Sequence, residues 1–118
     1  MGVFSVEIDV GTDLGGQFEH LEARVDTGAS YTTLPASMLE RIGVRPIERR
    51  EFVLASGEVR NYDIGQARVR LNGSELVCIV AFGDESAVPV VGAVTLQDMG
   101  LGVDTVVEKL IRVRNYML

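Results

Sequence analysis

Residues 25–35 read Val-Asp-Thr-Gly-Ala-Ser-Tyr-Thr-Thr-Leu-Pro, an apolar lead-in followed by one carboxylate and several small residues. At such a turn the backbone N–H groups of Gly28 and Ala29 can approach the Asp26 carboxylate closely, because neither side chain is large enough to block them. Thr27 offers a hydroxyl as a further partner. A carboxylate held in this way can take a proton from water, or, once protonated, donate one to a leaving group. The same residue types also suit an Asx-type surface turn that does no chemistry. What the turn means therefore depends on what surrounds it.

Other chemistries find little support. His20 is the only histidine, so neither a zinc cluster nor a histidine-based triad is expected, and its neighbours Phe18-Glu19-His20-Leu21-Glu22 place it on a strand surface. Residues 11–16, Gly-Thr-Asp-Leu-Gly-Gly, lack the spacing of a phosphate loop. Ser30 has no evident base and reads as a brace for the turn. The single cysteine, Cys78, lies in an apolar run and reads as a small buried side chain. With no internal disulfide possible, a reducing, cytoplasmic setting is expected. No metal and no cofactor are expected. The net charge of −6, with 11 basic residues scattered among 17 acidic ones, argues against nucleic acid or an anionic membrane as partner. No apolar run is long enough to span a bilayer as a helix.

The elements that must position Asp26 are mostly short strands. A chain of 118 residues with 47% hydrophobic content suits one domain, residues 1–118, around a single core. Phe4, Val6, Ile8 and Val10 alternate with Ser5, Glu7 and Asp9, the period of a strand. A glycine-rich turn reverses the chain, and residues 18–25 return it to Asp26. Residues 35–44 show helical spacing over about two turns, with Pro35 suited to the first helical position and Gly43 to the cap. From Phe52 to Phe82 the pattern is of hairpins, the first turning at Ala55-Ser56-Gly57. The second turns at Asn72-Gly73, a strong two-residue signal because both positions need positive φ. Arg68 and Arg70 mark a solvent face opposite Ala67, Val69 and Leu71. Residues 93–100 read as a second short helix stopped at Gly100 or Gly102. Residues 109–118 alternate again and read as a last strand. The class is all-β with one or two short helices. Asp26-Thr27-Gly28 and Val91-Gly92-Ala93 echo one another, each placing small residues where an apolar strand must turn sharply.

Taken together, these residues resemble the retroviral-type, or retropepsin-like, aspartic proteases, the half-size relatives of the pepsins, over roughly Phe4 to Leu110. Asp26-Thr27-Gly28-Ala29-Ser30 is similar to the catalytic signature. Arg60-Asn61-Tyr62-Asp63 is similar to the strand descending from the flap, and Val90-Val91-Gly92 to the later pair of hydrophobics and glycine that precedes a helix. The resemblance implies an acid-protease barrel with one lobe per chain. Asp26 would be catalytic, Thr27 the buried hydroxyl tying two subunits together beneath it, and Gly28 a contact for substrate backbone. Ala29, Ser30, Val90 and Val91 would line the substrate cleft, covered by a flap at Leu54–Glu58 whose Leu54, Ala55, Ser56 and Gly57 also touch substrate. Two departures stand out. Ser30 and Ala93 occupy positions where many retroviral enzymes carry a mutually paired aspartate and arginine, and both partners are replaced together, so no charge is stranded. The flap tip carries only one glycine, Gly57.

Hydrolysis of a peptide without metal or covalent nucleophile needs one carboxylate to activate water and one carboxylic acid to donate a proton. Two carboxylates about 3 Å apart share a single proton, as in aspartic proteases generally. This chain holds one Asp-Thr-Gly and one lobe, so a two-fold axis would have to supply the second Asp26. The expectation is a homodimeric aspartic endopeptidase acting on peptide or protein substrates. The alternative is a non-catalytic homodimeric domain of the same fold that binds peptides or mediates assembly.

Overall fold

The computed structural model describes residues 4–117. Strand β1 (Phe4–Thr12) and strand β2 (Gly15–Val25) form an antiparallel hairpin in which Phe4 faces Val25 and Val10 faces Glu19. The register shifts between Val10 and Thr12. An extra residue in one strand bends it and strengthens its twist. Beyond that point β1 runs beside β5 (Val59–Leu71), with Asp9 opposite Arg70 and Thr12 opposite Ala67.

This second pairing closes the sheet. The order runs β1, β2, β7 (Val90–Val91), β3 (Thr32–Pro35), β6 (Ser74–Gly83), β5 and back to β1. Closure removes the free edges that an open sheet of this size would leave to water. The alternating apolar residues of these strands meet inside: Ile8, Val10, Val25, Leu34, Val69 and Val80 are all essentially inaccessible. Each such side chain stabilises the fold by about 1.5–3 kcal/mol relative to leaving it exposed. Cys78 belongs to the same core, and burial pushes its thiol up to about 11, so it stays a neutral packing group at ordinary pH.

Asn72 and Gly73 both have positive φ, 52° and 83°, and make the two-residue turn between β5 and β6 in which Leu71 faces Ser74. Helix α1 (Ala36–Ile42) starts one residue later than expected: Pro35 ends β3 and stands as the extended N-cap. Gly43 closes the helix in the left-handed conformation, its N–H donating to the last-turn carbonyls. Helix α2 (Ala93–Asp98) follows β7 and ends before Gly100, as expected.

Two strands differ from the sequence expectation. Strand β4 (Pro46–Val53) begins well before Phe52, through the charged run Glu48-Arg49-Arg50-Glu51. It pairs only with the first half of β5 and every residue but Phe52 is exposed, so the β4–β5 hairpin projects from the barrel and needs no apolar alternation. The C-terminal segment is strand only over β9 (Lys109–Arg112), which pairs antiparallel with β8 (Leu101–Asp104) in a separate two-stranded sheet. Residues 113–117 leave strand geometry despite their alternation, and Leu118 lies outside the described residues.

Candidate active site

Asp26 is the first residue past the end of β2. Its N–H donates to the Val91 carbonyl at 3.0 Å, continuing the parallel β2–β7 ladder by one step. The chain then turns sharply: Ala29 N–H donates to the Asp26 carbonyl at 3.1 Å, and Gly28 N–H donates to the carboxylate Oδ1 at 2.9 Å. Of the two amides expected to grip the carboxylate, only that of Gly28 does so. The amide of Ala29 closes the turn on the main chain instead.

The far side of the turn is clamped by the start of α2. Ala93 N–H donates to the Ala29 carbonyl at 2.8 Å and Val94 N–H to that of Ser30 at 2.9 Å. Ser30 braces the loop through its backbone, and its side chain is exposed. Gly92 permits the approach, since a Cβ there would sit 2.5 Å from the Tyr31 carbonyl carbon. Beneath the loop, the Thr32 and Thr95 hydroxyls meet at 2.6 Å, and Gly92 N–H donates to Thr32 Oγ1 at 3.2 Å. Both threonines are fully buried. Strand β7, the loop and α2 thus hold one half-buried carboxylate from three directions.

The carboxylate opens into a cleft of about 660 Å³ between the loop that carries it, the β4–β5 hairpin and the loop after β6. Gly28, Ala29, Ser30, Leu54 and Ala55 line it together with Asp26. The turn at residues 54–58 is closed by Leu54 N–H to Glu58 O and Gly57 N–H to Leu54 O, both 2.8 Å. Ser56 and Gly57 form its tip, outside the cleft lining. Val90 is half-buried and does not line the cleft, and Val91 is wholly inside the core. In a two-residue strand sandwiched between β2 and β3, Val91 faces the core, and it reaches the site through its backbone carbonyl, which accepts from the Asp26 N–H. Thr27 points elsewhere. It is exposed, offers no hydroxyl bond to Asp26, and lines a second groove on the α2 side of the loop.

Sequence reasoning missed the aromatic wall. Tyr31 and Phe52 stand edge-to-face at 6.0 Å, and Phe52 and Tyr62 at 5.7 Å, all three lining the cleft. Such pairs contribute about 0.5–1.5 kcal/mol each beyond area burial. Arg50 donates to the Tyr31 hydroxyl at 2.6 Å, and the Tyr62 hydroxyl donates to Asp84 at 3.0 Å. The wall therefore ties the projecting hairpin to the loop carrying Asp26 and to the loop after β6. The signal was available in register: Arg50 lies opposite Tyr62 and Phe52 opposite Arg60, which puts all four on one face of the hairpin.

Outside the cleft, His20 sits on the barrel surface between Glu7 at 2.5 Å and Asp9 at 2.7 Å. Hydrogen bonds to Asp9 and then Glu7 hold its pKa above the usual value.

Two comparisons bear on this geometry. Residues 12–104 match the family model of the gag-polyprotein aspartyl protease. Among solved structures, the fold is similar to the EIAV protease complexed with the inhibitor HBY-793, with a TM-score of 0.62 and 18% identity over 81% of this chain and 86% of that one. It is also similar to the simian foamy virus (mac) protease, with a TM-score of 0.58 and 18% identity over 80% of this chain and 92% of that one. A search of the curated proteins gives no match. The family match spans the turn of Asp26, the projecting hairpin and α2, and the fold likeness covers the same barrel: the chain belongs to the gag-polyprotein aspartyl protease family, with the retropepsin-like fold of one lobe per chain.

Proposed function

We propose that the protein works as a homodimeric aspartic endopeptidase in which the Asp26 carboxylates of two subunits meet across a two-fold axis. The observation that carries this reading is the single half-buried Asp26, fixed by the Gly28 amide and the β7 backbone, at the floor of a cleft roofed by the β4–β5 hairpin. One carboxylate takes a proton from water as the water oxygen attacks the scissile carbonyl carbon. The partner's carboxylic acid donates its proton to the carbonyl oxygen. Collapse of the tetrahedral species breaks the C–N bond as a proton passes to the departing amine, and the pair returns to its one-proton state.

Gly28, with no side chain, leaves room for an extended peptide to lie along the loop. The turn at residues 54–58 acts as the flap over it. The cleft walls supported by Ala29, Leu54, Phe52 and Tyr62 favour apolar segments. Thr27 lies at the subunit contact, where its present exposure would be lost.

The decisive experiment is cleavage of a peptide library across pH by the intact protein and by Asp26→Asn, with dimer content measured at each pH. The intact protein is expected to cleave best in acidic solution, where the pair holds one proton, and the asparagine variant to dimerise without cleaving. Undiminished cleavage by folded, dimeric Asp26→Asn would falsify the assignment.

A further inference from the structure

The cleft above Asp26 carries no cation of its own. Among the described residues no lysine, arginine or histidine lines it, whereas Glu51 and Asp84 do so together with Asp26. The nearby arginines of the projecting hairpin are each matched to an acid outside the lining: Arg49 to Asp63 at 3.1 Å, Arg50 to Glu48 at 2.6 Å and Arg60 to Glu58 at 3.0 Å. Glu51 lies opposite Asn61, one step along β4 from Phe52, so its side chain leaves the strand on the face away from the aromatic wall. Asp84 differs. It begins the loop after β6, and its carboxylate reaches the wall at Tyr62.

That carboxylate is fixed through one oxygen only. Oδ2 accepts from the Tyr62 hydroxyl at 3.0 Å and meets Arg60 Nη1 at 3.5 Å, while Oδ1 takes no hydrogen bond among the described residues. Arg60 is held at two points by Glu58, at 3.0 and 3.2 Å, and half of the Asp84 side-chain surface is exposed. The loop is braced from behind without engaging Oδ1. Glu85 turns to α1, where it accepts from the Ser37 N–H at 2.9 Å and from the Ser37 hydroxyl, and Ala87 N–H donates to the Asp84 carbonyl at 3.1 Å. An open acceptor oxygen therefore stands beside the rings of Tyr62 and Phe52, which meet edge-to-face at 5.7 Å. A carboxylate next to an aromatic face suits a cation, which gains a charge-assisted hydrogen bond from one and the negative ring face of the other.

We infer that Asp84 is a specificity residue of the cleft, selecting extended peptides that carry one basic side chain, arginine ahead of lysine. This deepens the proposed peptidase and rests on it. Ala29, Leu54 and Phe52 offer apolar contact to neighbouring positions of the peptide, while the basic side chain lies along Tyr62 with its charged end at Oδ1. A planar guanidinium stacks on a ring and donates in its own plane, which a compact ammonium cannot do. The net charge of −6 draws basic peptides towards the chain before contact.

A peptide library cleaved by the intact protein locates the position, counted from the cleaved bond, at which arginine is enriched. The deciding quantity is the ratio of kcat/KM for two peptides that differ only there, arginine against glutamine. The intact protein is expected to favour the arginine peptide by roughly tenfold, chiefly through KM. Asp84→Asn, which can still accept from Tyr62, should bring the ratio to within about twofold of unity, and Asp84→Glu should restore part of it. Glu85→Gln removes the same charge from the same loop and should leave the ratio as it is. If circular dichroism shows Asp84→Asn unfolded, Asp84→Ser is measured in its place. Binding is read separately by fluorescence anisotropy, using Asp26→Asn with and without Asp84→Asn and labelled apolar peptides holding one arginine or one glutamine. A ratio near unity in the intact protein, or one that folded Asp84→Asn leaves unaltered, overturns the assignment while the protease reading stands. An equal fall in Glu85→Gln also overturns it, since charge at a distance would then suffice. Arginine-selective binding that depends on Asp84, in a chain that cleaves no peptide, supports the assignment and removes the protease reading. A chain that neither cleaves nor binds peptides overturns both.

Discussion

The hydroxyls of Thr32 and Thr95 meet at 2.6 Å across 63 residues of sequence, fully buried beneath the loop that carries Asp26. Thr32 also accepts from the Gly92 amide, so its hydroxyl meets two partners, of which the Thr95 hydroxyl is one. Thr32→Val should therefore cost more than Thr95→Val: about 1–3 kcal/mol, because it strands a buried amide and a buried hydroxyl, against about 1 kcal/mol for the other. Urea denaturation of the two variants checks the order, and equal losses would mean that the Gly92 bond contributes nothing.

Gly92→Ala places a methyl group 2.5 Å from the Tyr31 carbonyl carbon and 2.6 Å from its oxygen. Backbone cannot swing away as a side-chain tip can. The expected result is a loss of about 1–3 kcal/mol in stability, accompanied by a fall in kcat as the Ala29–Tyr31 loop shifts. Wild-type stability and activity in the alanine variant would show that α2 and the loop are not packed as described.

Phe52 joins Tyr31 to Tyr62 and so joins the projecting hairpin to the floor of the cleft. Phe52→Leu keeps an apolar side chain but removes both edge-to-face contacts. Tyr62→Phe keeps the ring and removes the bond to Asp84. Both should raise KM for peptides several-fold with smaller effects on kcat, because they loosen the covering hairpin without touching Asp26. A kcat loss exceeding the KM change in Tyr62→Phe would place that hydroxyl in the chemistry.

His20, between Glu7 and Asp9, makes stability depend on pH in a defined direction. Its folded-state pKa is raised above the usual 6.5, chiefly by the hydrogen bond to Asp9 and then by that to Glu7. The protonated form is therefore the one the fold favours. The contribution is fully present below the unfolded value and disappears as pH rises through the raised folded value. His20→Gln should lower Tm relative to the intact chain at pH 5.5 and leave it almost unchanged at pH 9. The group is exposed, so the shift should be small and reduced by salt. A larger penalty at pH 9 than at pH 5.5 would contradict the geometry.

Much of this molecule is written in local pattern. The alternation of Phe4–Val10, the Asn72-Gly73 turn and the Gly43 cap depend on side-chain period and on φ preferences that a few neighbouring residues decide. They were legible without coordinates, as were the family-like turn at Asp26 and the helix after Gly92. Pattern stops being informative where an element has no buried face. Strand β4 runs through Glu48-Arg49-Arg50-Glu51 because it borrows its hydrogen bonds from β5 and stands clear of the barrel, so nothing required apolar residues at every second position. Residues 113–117 show the converse: they alternate, yet among the described residues no neighbouring strand takes up their backbone groups beyond Val113, and they leave strand geometry.

The site divides along the same line. That Asp26 sits at a small-residue turn follows from its immediate neighbours. That Gly28 alone grips the carboxylate, that Val91 is core and Thr27 faces another groove, and that Tyr31, Phe52 and Tyr62 form one wall were decided by tertiary structure. The reason is the length scale of the interactions. A turn is specified by residues two or three apart, whereas the Thr32–Thr95 pair, the Gly92–Tyr31 approach and the aromatic wall exist only after barrel closure brings distant strands within a few ångströms.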